Sequence, residues 1–154
     1  MAELLVIGVG NEFRGDDAAG LLVARQVKAC SLEQTHVCEA NGEGVALMEL
    51  WHGAEAVILI DAVQAGGKPG MIYHLDAGTD KIPSRFFHYS THAFSVAEAV
   101  ELARALGQLP GALIVYGIEG QQYDVGGGLS LAVEQAVAEV AKRVCEEAQA
   151  LCTN

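Results

Sequence analysis

The first twenty residues confine this chain to a narrow set of folds. Leu4 to Ile7 is an apolar run of the kind that forms a buried strand, and it breaks at once into Gly8-Val9-Gly10-Asn11. Two adjacent carboxylates, Asp16 and Asp17, follow at the start of a helix expected over about Asp17 to Ala29. A strand that enters a helix through a glycine-rich turn belongs to an open α/β sheet. In such sheets ligands sit where the carboxyl ends of strands meet helix N-termini.

The rest of the chain continues the alternation. Gln34 to Ala40 suits a second strand and Gly44 to Trp51 a short helix. Ala56 to Asp61 holds Val-Ile-Leu-Ile and requires burial on both faces. A turn cluster, Ala65 to Gly70, leads into a strand at Met71 to Leu75. No helix fits between these two strands, so the fourth is expected to run antiparallel. An irregular stretch, Asp76 to Thr91, precedes a helix from about Ala93 to Leu106, which Leu109-Pro110-Gly111 stops.

Ala112 to Ile118 is the last strand. A glycine-rich loop then leads to a helix of about Leu129 to Leu151, with Val133, Val137, Val140, Val144 and Ala148 on one stripe. The fold class predicted is α/β: a three-layer α/β/α sandwich, phosphorylase/hydrolase-like, around a mostly parallel five-stranded sheet with one antiparallel strand. Residues 1–154 are expected to form a single domain, since 154 residues suffice for one core.

Composition excludes several functions. Nine Lys and Arg against twenty Asp and Glu give a net charge of −11, and the basic residues are scattered. No groove is available to neutralise a run of phosphates, so nucleic acid is not an expected partner. Apolar runs are too short for a membrane span, and residues 1 to 9 show no basic leader. A cytoplasmic monomer is therefore expected. Cys30, Cys38, Cys145 and Cys152 contain no CxxC pair and are expected to be buried free thiols.

The opening turn resembles a dinucleotide fingerprint only in part. Gly8 and Gly10 fit Gly-x-Gly-x-x-Gly, but Phe13 stands at the third glycine position. Asp16 and Asp17 would also repel a pyrophosphate. The carboxylates favour a cation or proton chemistry instead. Asp16 is expected to cap the helix while Asp17 projects from its first turn.

Two further residues join them. Asp61 is expected to end the third strand and point into the crevice at the sheet edge. His92 is expected at the N-terminus of the next helix, capped by Ser90 or Thr91, where the helix dipole favours a neutral imidazole. His88 lies four residues earlier without the adjacent glutamate of a zincin motif, and His36, His52 and His74 have a surface context. Two carboxylates and one imidazole suit a first-row divalent ion, with nickel, zinc, iron and manganese all acceptable.

Gly8-Val9-Gly10-Asn11 with Asp16-Asp17-Ala18-Ala19-Gly20, then Ile60-Asp61-Ala62, then Ser90-Thr91-His92, resembles the nickel–iron hydrogenase maturation endopeptidases. The resemblance spans the whole domain. It implies an endopeptidase that removes a short C-terminal extension from the precursor of the hydrogenase large subunit. It further implies that Asp17, Asp61 and His92 are both the metal-contacting and the catalytic residues. The metal implied is nickel, carried by the precursor and held only transiently.

One departure stands out. Relatives carry an Asp-Gly-Gly-like segment after strand two, where this chain has Glu39-Ala40-Asn41-Gly42-Glu43-Gly44. Asn41 supplies no charge there, leaving Glu39 or Glu43 as substitutes. The same departure leaves open a second reading, a non-cleaving sensor or chaperone for the same metal centre.

Overall fold

The computed structural model describes residues 3–87 and 92–153, with no side-chain description for Cys152 and Thr153. His88, Ser90 and Thr91 therefore lie outside the described residues. Among the described residues there are five strands and four α-helices, alternating except where β4 follows β3 directly. They are β1 (Leu4–Val9), α1 (Ala19–Ala29), β2 (Thr35–Ala40), α2 (Gly44–Trp51), β3 (Ala56–Val63), β4 (Ile72–Asp76), α3 (Val96–Ala105), β5 (Ala112–Glu119) and α4 (Leu131–Thr153). The strands form one sheet in the order β2-β1-β3-β5-β4. Every pairing is parallel except that of β4 with β5, as the missing crossover helix requires.

Two apolar clusters cover the two faces of the sheet. Val23 and Val27 of α1 pack with Val133, Val137, Val140 and Val144 of α4. On the other face Leu47 and Trp51 of α2 pack with Val96 and Val100 of α3. All eight residues of β3 are buried, which follows from helices on both sides of a central parallel strand. The chain thus forms the predicted α/β/α sandwich.

The topology creates one crevice. The connection from β1 through α1 leads to β2 on one side, while β3 lies on the other side of β1. Their C-terminal ends therefore splay at a point where strand order reverses, the position where open sheets bind ligands.

Several boundaries differ from expectation. β3 continues two residues past Asp61, because Ala62 and Val63 pair with Ile118 and Glu119 of β5. Asp61 does not end its strand. It is instead the first residue beyond the pairing of β3 with β1, which stops at Gly8–Ile60. Helix α3 starts at Val96, three residues later than expected, because Ser95 and Glu98 form a capping box. The Ser95 N–H and hydroxyl both donate to the Glu98 carboxylate, at 3.0 and 2.8 Å. Cys30 is exposed rather than buried, with its sulfur 3.5 Å from that of Cys145.

Candidate functional site

Gly8, Gly10 and Gly20 set the distance between α1 and the strand ends. A Cβ on Gly20 would collide with the carbonyl oxygens of Val9 and Ile60, and one on Gly8 would meet Gly20 and Ala24. A Cβ on Gly10 would strike the Asp17 carbonyl. The close packing that a third fingerprint glycine gives elsewhere is supplied here by Gly20, on the helix itself.

Between strand and helix the chain makes a tight turn. The Asn11 side-chain oxygen accepts from the Phe13 N–H at 2.9 Å, and its carbonyl accepts from the Arg14 N–H at 3.2 Å. A 3-10 turn, Gly15–Ala18, follows before the α-helix proper. Gly15 has a φ of +52°, a conformation L side chains rarely adopt.

Asp16 is not the helix cap. Its carboxylate is fully buried and reaches across the molecule to the segment between β5 and α4. It accepts from the N–H groups of Gln121 at 2.7 Å, Gln122 at 3.0 Å and Ser130 at 2.8 Å, and from the Ser130 hydroxyl at 2.9 Å. The Asp16 N–H in turn donates to the Gln122 carbonyl at 2.8 Å. Charge-assisted bonds to several backbone donors fix the loop as no neutral side chain would. Asp16 thus anchors the turn that carries Asp17.

Asp17, Asp61 and His92 all line one cavity of about 610 Å³ at the carboxyl edge of the sheet. Asp17 and Asp61 are 7% and 5% exposed, whereas His92 is half-buried. His92 precedes α3 in an irregular, bent segment rather than opening the helix. That segment is docked on the start of α2, where the Gly44 N–H donates to the Phe94 carbonyl at 2.8 Å. A Cβ on Gly42 would lie 4.0 Å from the His92 ring, which places the imidazole over the turn after β2. Among the described residues, no three His, Cys, Asp or Glu side chains are grouped closely enough to form a ready-made metal cage.

The other wall of the cavity holds Asn41, Glu39 and Arg25. Arg25 donates twice to Glu39, both at 3.0 Å, and to Glu12 at 3.1 Å. The guanidinium holds the Glu39 carboxyl below its ordinary range, chiefly by hydrogen bonding. Glu43 caps α2 by accepting from Val45 and Ala46 at 3.1 and 2.7 Å. The Asn41 side-chain oxygen accepts from the Glu43 N–H at 3.1 Å. Of the two suggested substitutes for a charge at Asn41, Glu43 is committed to the cap and only Glu39 faces the cavity.

Tyr123 is a neighbour that sequence reasoning missed. Its hydroxyl donates to the Val63 carbonyl at 3.0 Å. Burial pushes its phenol well above the ordinary range, reinforced by the charges of Glu119, Asp16, Asp17 and Asp61. The phenol therefore stays protonated beside the acidic group. Its only signal in the sequence is its place in the glycine-rich loop after β5.

Comparison with known proteins gives a consistent picture. Residues 22–147 match the HycI family model, described as hydrogenase maturation protease. A hydrogenase expression/formation protein, HupD, from Thiocapsa roseopersicina is 28% identical over 131 residues, 82% of this chain. That match spans 58% of the relative's own length. The structure of a hydrogenase 2 maturation peptidase from a Thaumarchaeota archaeon superposes with a TM-score of 0.67 at 28% identity, covering 94% of this chain and 97% of that one. The [NiFe] hydrogenase maturation protease HycI from Thermococcus kodakarensis shares the fold, with a TM-score of 0.74 at 18% identity over 96% of this chain and 93% of that one.

Proposed function

Because the chain belongs to the hydrogenase maturation protease family, we propose that it is an endopeptidase acting on the precursor of a nickel–iron hydrogenase large subunit. It removes the C-terminal extension of that precursor by one cut. The observation that carries this reading is the convergence of Asp17, Asp61 and His92, from three separate segments, on one cavity. The cavity lies at the switch point of the sheet, where this fold class binds ligands.

The nickel arrives with the substrate. Two carboxylates and an imidazole offer it oxygen and nitrogen donors suited to a first-row divalent ion. Held by Asp17, Asp61 and His92, the nickel would supply Lewis-acid polarisation of the reacting carbonyl or of a water, whose oxygen would add to the carbonyl carbon. The C–N bond then breaks and the proton from water goes to the leaving amine. Reading the nickel through these side chains ties cleavage to a loaded precursor.

Incubating purified protein with nickel-loaded precursor and following the precursor's mass tests this directly. Loss of the extension with wild type, and no loss with Asp17→Asn, Asp61→Asn or His92→Gln, is the expected result. An uncut precursor that nevertheless binds would instead establish the non-cleaving sensor, which the neutral Asn41 favours.

A further inference from the structure

Phe13, the residue that breaks the dinucleotide fingerprint, has no role in the cavity chemistry, yet its position is tightly fixed. Asn11 holds the Phe13 N–H, and the Phe13 carbonyl accepts from the Gly126 N–H at 2.9 Å. That bond joins the turn after β1 to the loop between β5 and α4, beside the anchorage of Asp16 on the same loop. Val125, the residue before Gly126, is thereby brought next to the Phe13 segment. Their side chains are among the most exposed large apolar groups of the molecule, at 68% for Phe13 and 78% for Val125. Two large apolar side chains held outward on pinned backbone form a preorganised lip rather than the tip of a loose loop.

The place of this lip identifies its occupant. Glu12 and Arg14, the residues on either side of Phe13, both line the cavity of Asp17, Asp61 and His92. Phe13 stands between these two lining residues without lining the cavity itself, so a chain that leaves the cavity past Glu12 or Arg14 runs beside it. A second copy of this protein seated there would obstruct the mouth, whereas a substrate with its tail in the cavity would cover the lip with its folded body. We infer that the Phe13–Val125 lip is the surface on which the folded body of the large-subunit precursor rests while its C-terminal extension lies in the cleft. The inference deepens, and rests on, the reading of the cleft as the processing site. It calls for an apolar patch on the precursor close to where the extension emerges. An exposed aromatic beside a cleft is the kind of side chain that dominates interface energetics.

Steady-state cleavage of nickel-loaded precursor from the same organism separates the possibilities. The proteins compared are wild type, Phe13→Ser, Val125→Asp, the double variant and Leu106→Ser. Leu106 is exposed at the C-terminal end of α3, away from the cavity, and serves as the control. The double variant is expected to raise KM about tenfold with kcat within about twofold, the signature of lost uniform binding. Each single variant should fall between, and Leu106→Ser should match wild type. Sedimentation should give the same species for all five proteins.

An unchanged KM in the double variant overturns the inference while cleavage by wild type keeps the processing reading. So does a fall in kcat alone, which would assign Phe13 to the chemistry. A wild-type dimer that dissociates on Phe13→Ser would assign the lip to a second copy. Wild type that leaves the precursor uncut overturns both readings. Circular dichroism melts accompany each protein, and if Phe13→Ser lowers the midpoint, Val125→Asp alone decides the outcome.

Discussion

Adjacent aspartates with the same side chain serve different ends, and their environments separate them. Asp17 faces the cavity, whereas Asp16 is turned inward to backbone donors that lie 105 to 114 residues downstream. Asp16→Ala leaves those donors without their acceptor and is expected to cost about 2–4 kcal/mol, lowering the melting temperature by about 5–15 °C. Asp16→Asn should fall in the same direction, since its NH2 would face N–H groups. Asp17→Asn should leave the melting temperature close to wild type. Thermal unfolding by circular dichroism distinguishes the pair. The division of labour was legible only in part. The sequence pattern places Asp17 in the site, but the partners of Asp16 are too distant in the chain for any local signal to reveal them.

The Glu39–Arg25 pair is a second residue-scale case. The lowered Glu39 pKa means the ionised form is favoured by folding. Its contribution is present above the ordinary carboxylate range and is lost as the pH falls through the lowered value. Both side chains are 42% exposed, so Glu39→Gln should cost under about 1 kcal/mol at neutral pH. Urea unfolding over a pH series should show the difference from wild type vanishing in acid.

At the scale of elements, the helix–strand contact around Gly20 is the most sensitive joint. Gly20→Ala forces α1 away from the carbonyls of Val9 and Ile60 and so displaces Asp17 relative to Asp61. Both stability and processing are expected to fall, whereas Ala24→Gly, one turn later, should weaken stability by about 1 kcal/mol and spare processing. Measuring melting temperature and precursor cleavage on the two variants checks the contrast.

The strands themselves were legible because their apolar runs are short and bounded by turn residues. Element ends were less so, and for identifiable reasons. β3 outruns Asp61 because Ala62 and Val63 are themselves apolar and find partners on β5. The start of α3 was legible in Ser95-Val96-Ala97-Glu98, which forms a capping box.

Across the whole molecule, the sheet order turns three distant segments into one cavity. β1 and β3 are neighbours although α1, β2 and α2 intervene, and this adjacency brings Asp17 and Asp61 to the same edge. The Gly44–Phe94 hydrogen bond brings the segment carrying His92 over from the α2–α3 side. No described helix is long and apolar enough to cross a membrane, and the net charge of −11 makes the molecule as a whole attractive to cations. The loop after β5, anchored by Asp16 and by the Phe13 carbonyl, carries Val125, one half of the apolar lip.

The most direct measurement is the mass of a large-subunit precursor incubated with this protein, with and without nickel in the precursor. Loss of the C-terminal extension only from the nickel-loaded form, abolished by Asp17→Asn, Asp61→Asn and His92→Gln, is the predicted result. Equal cleavage of the nickel-free precursor, or full cleavage by any of the three variants, would contradict a nickel-reading site built from these residues.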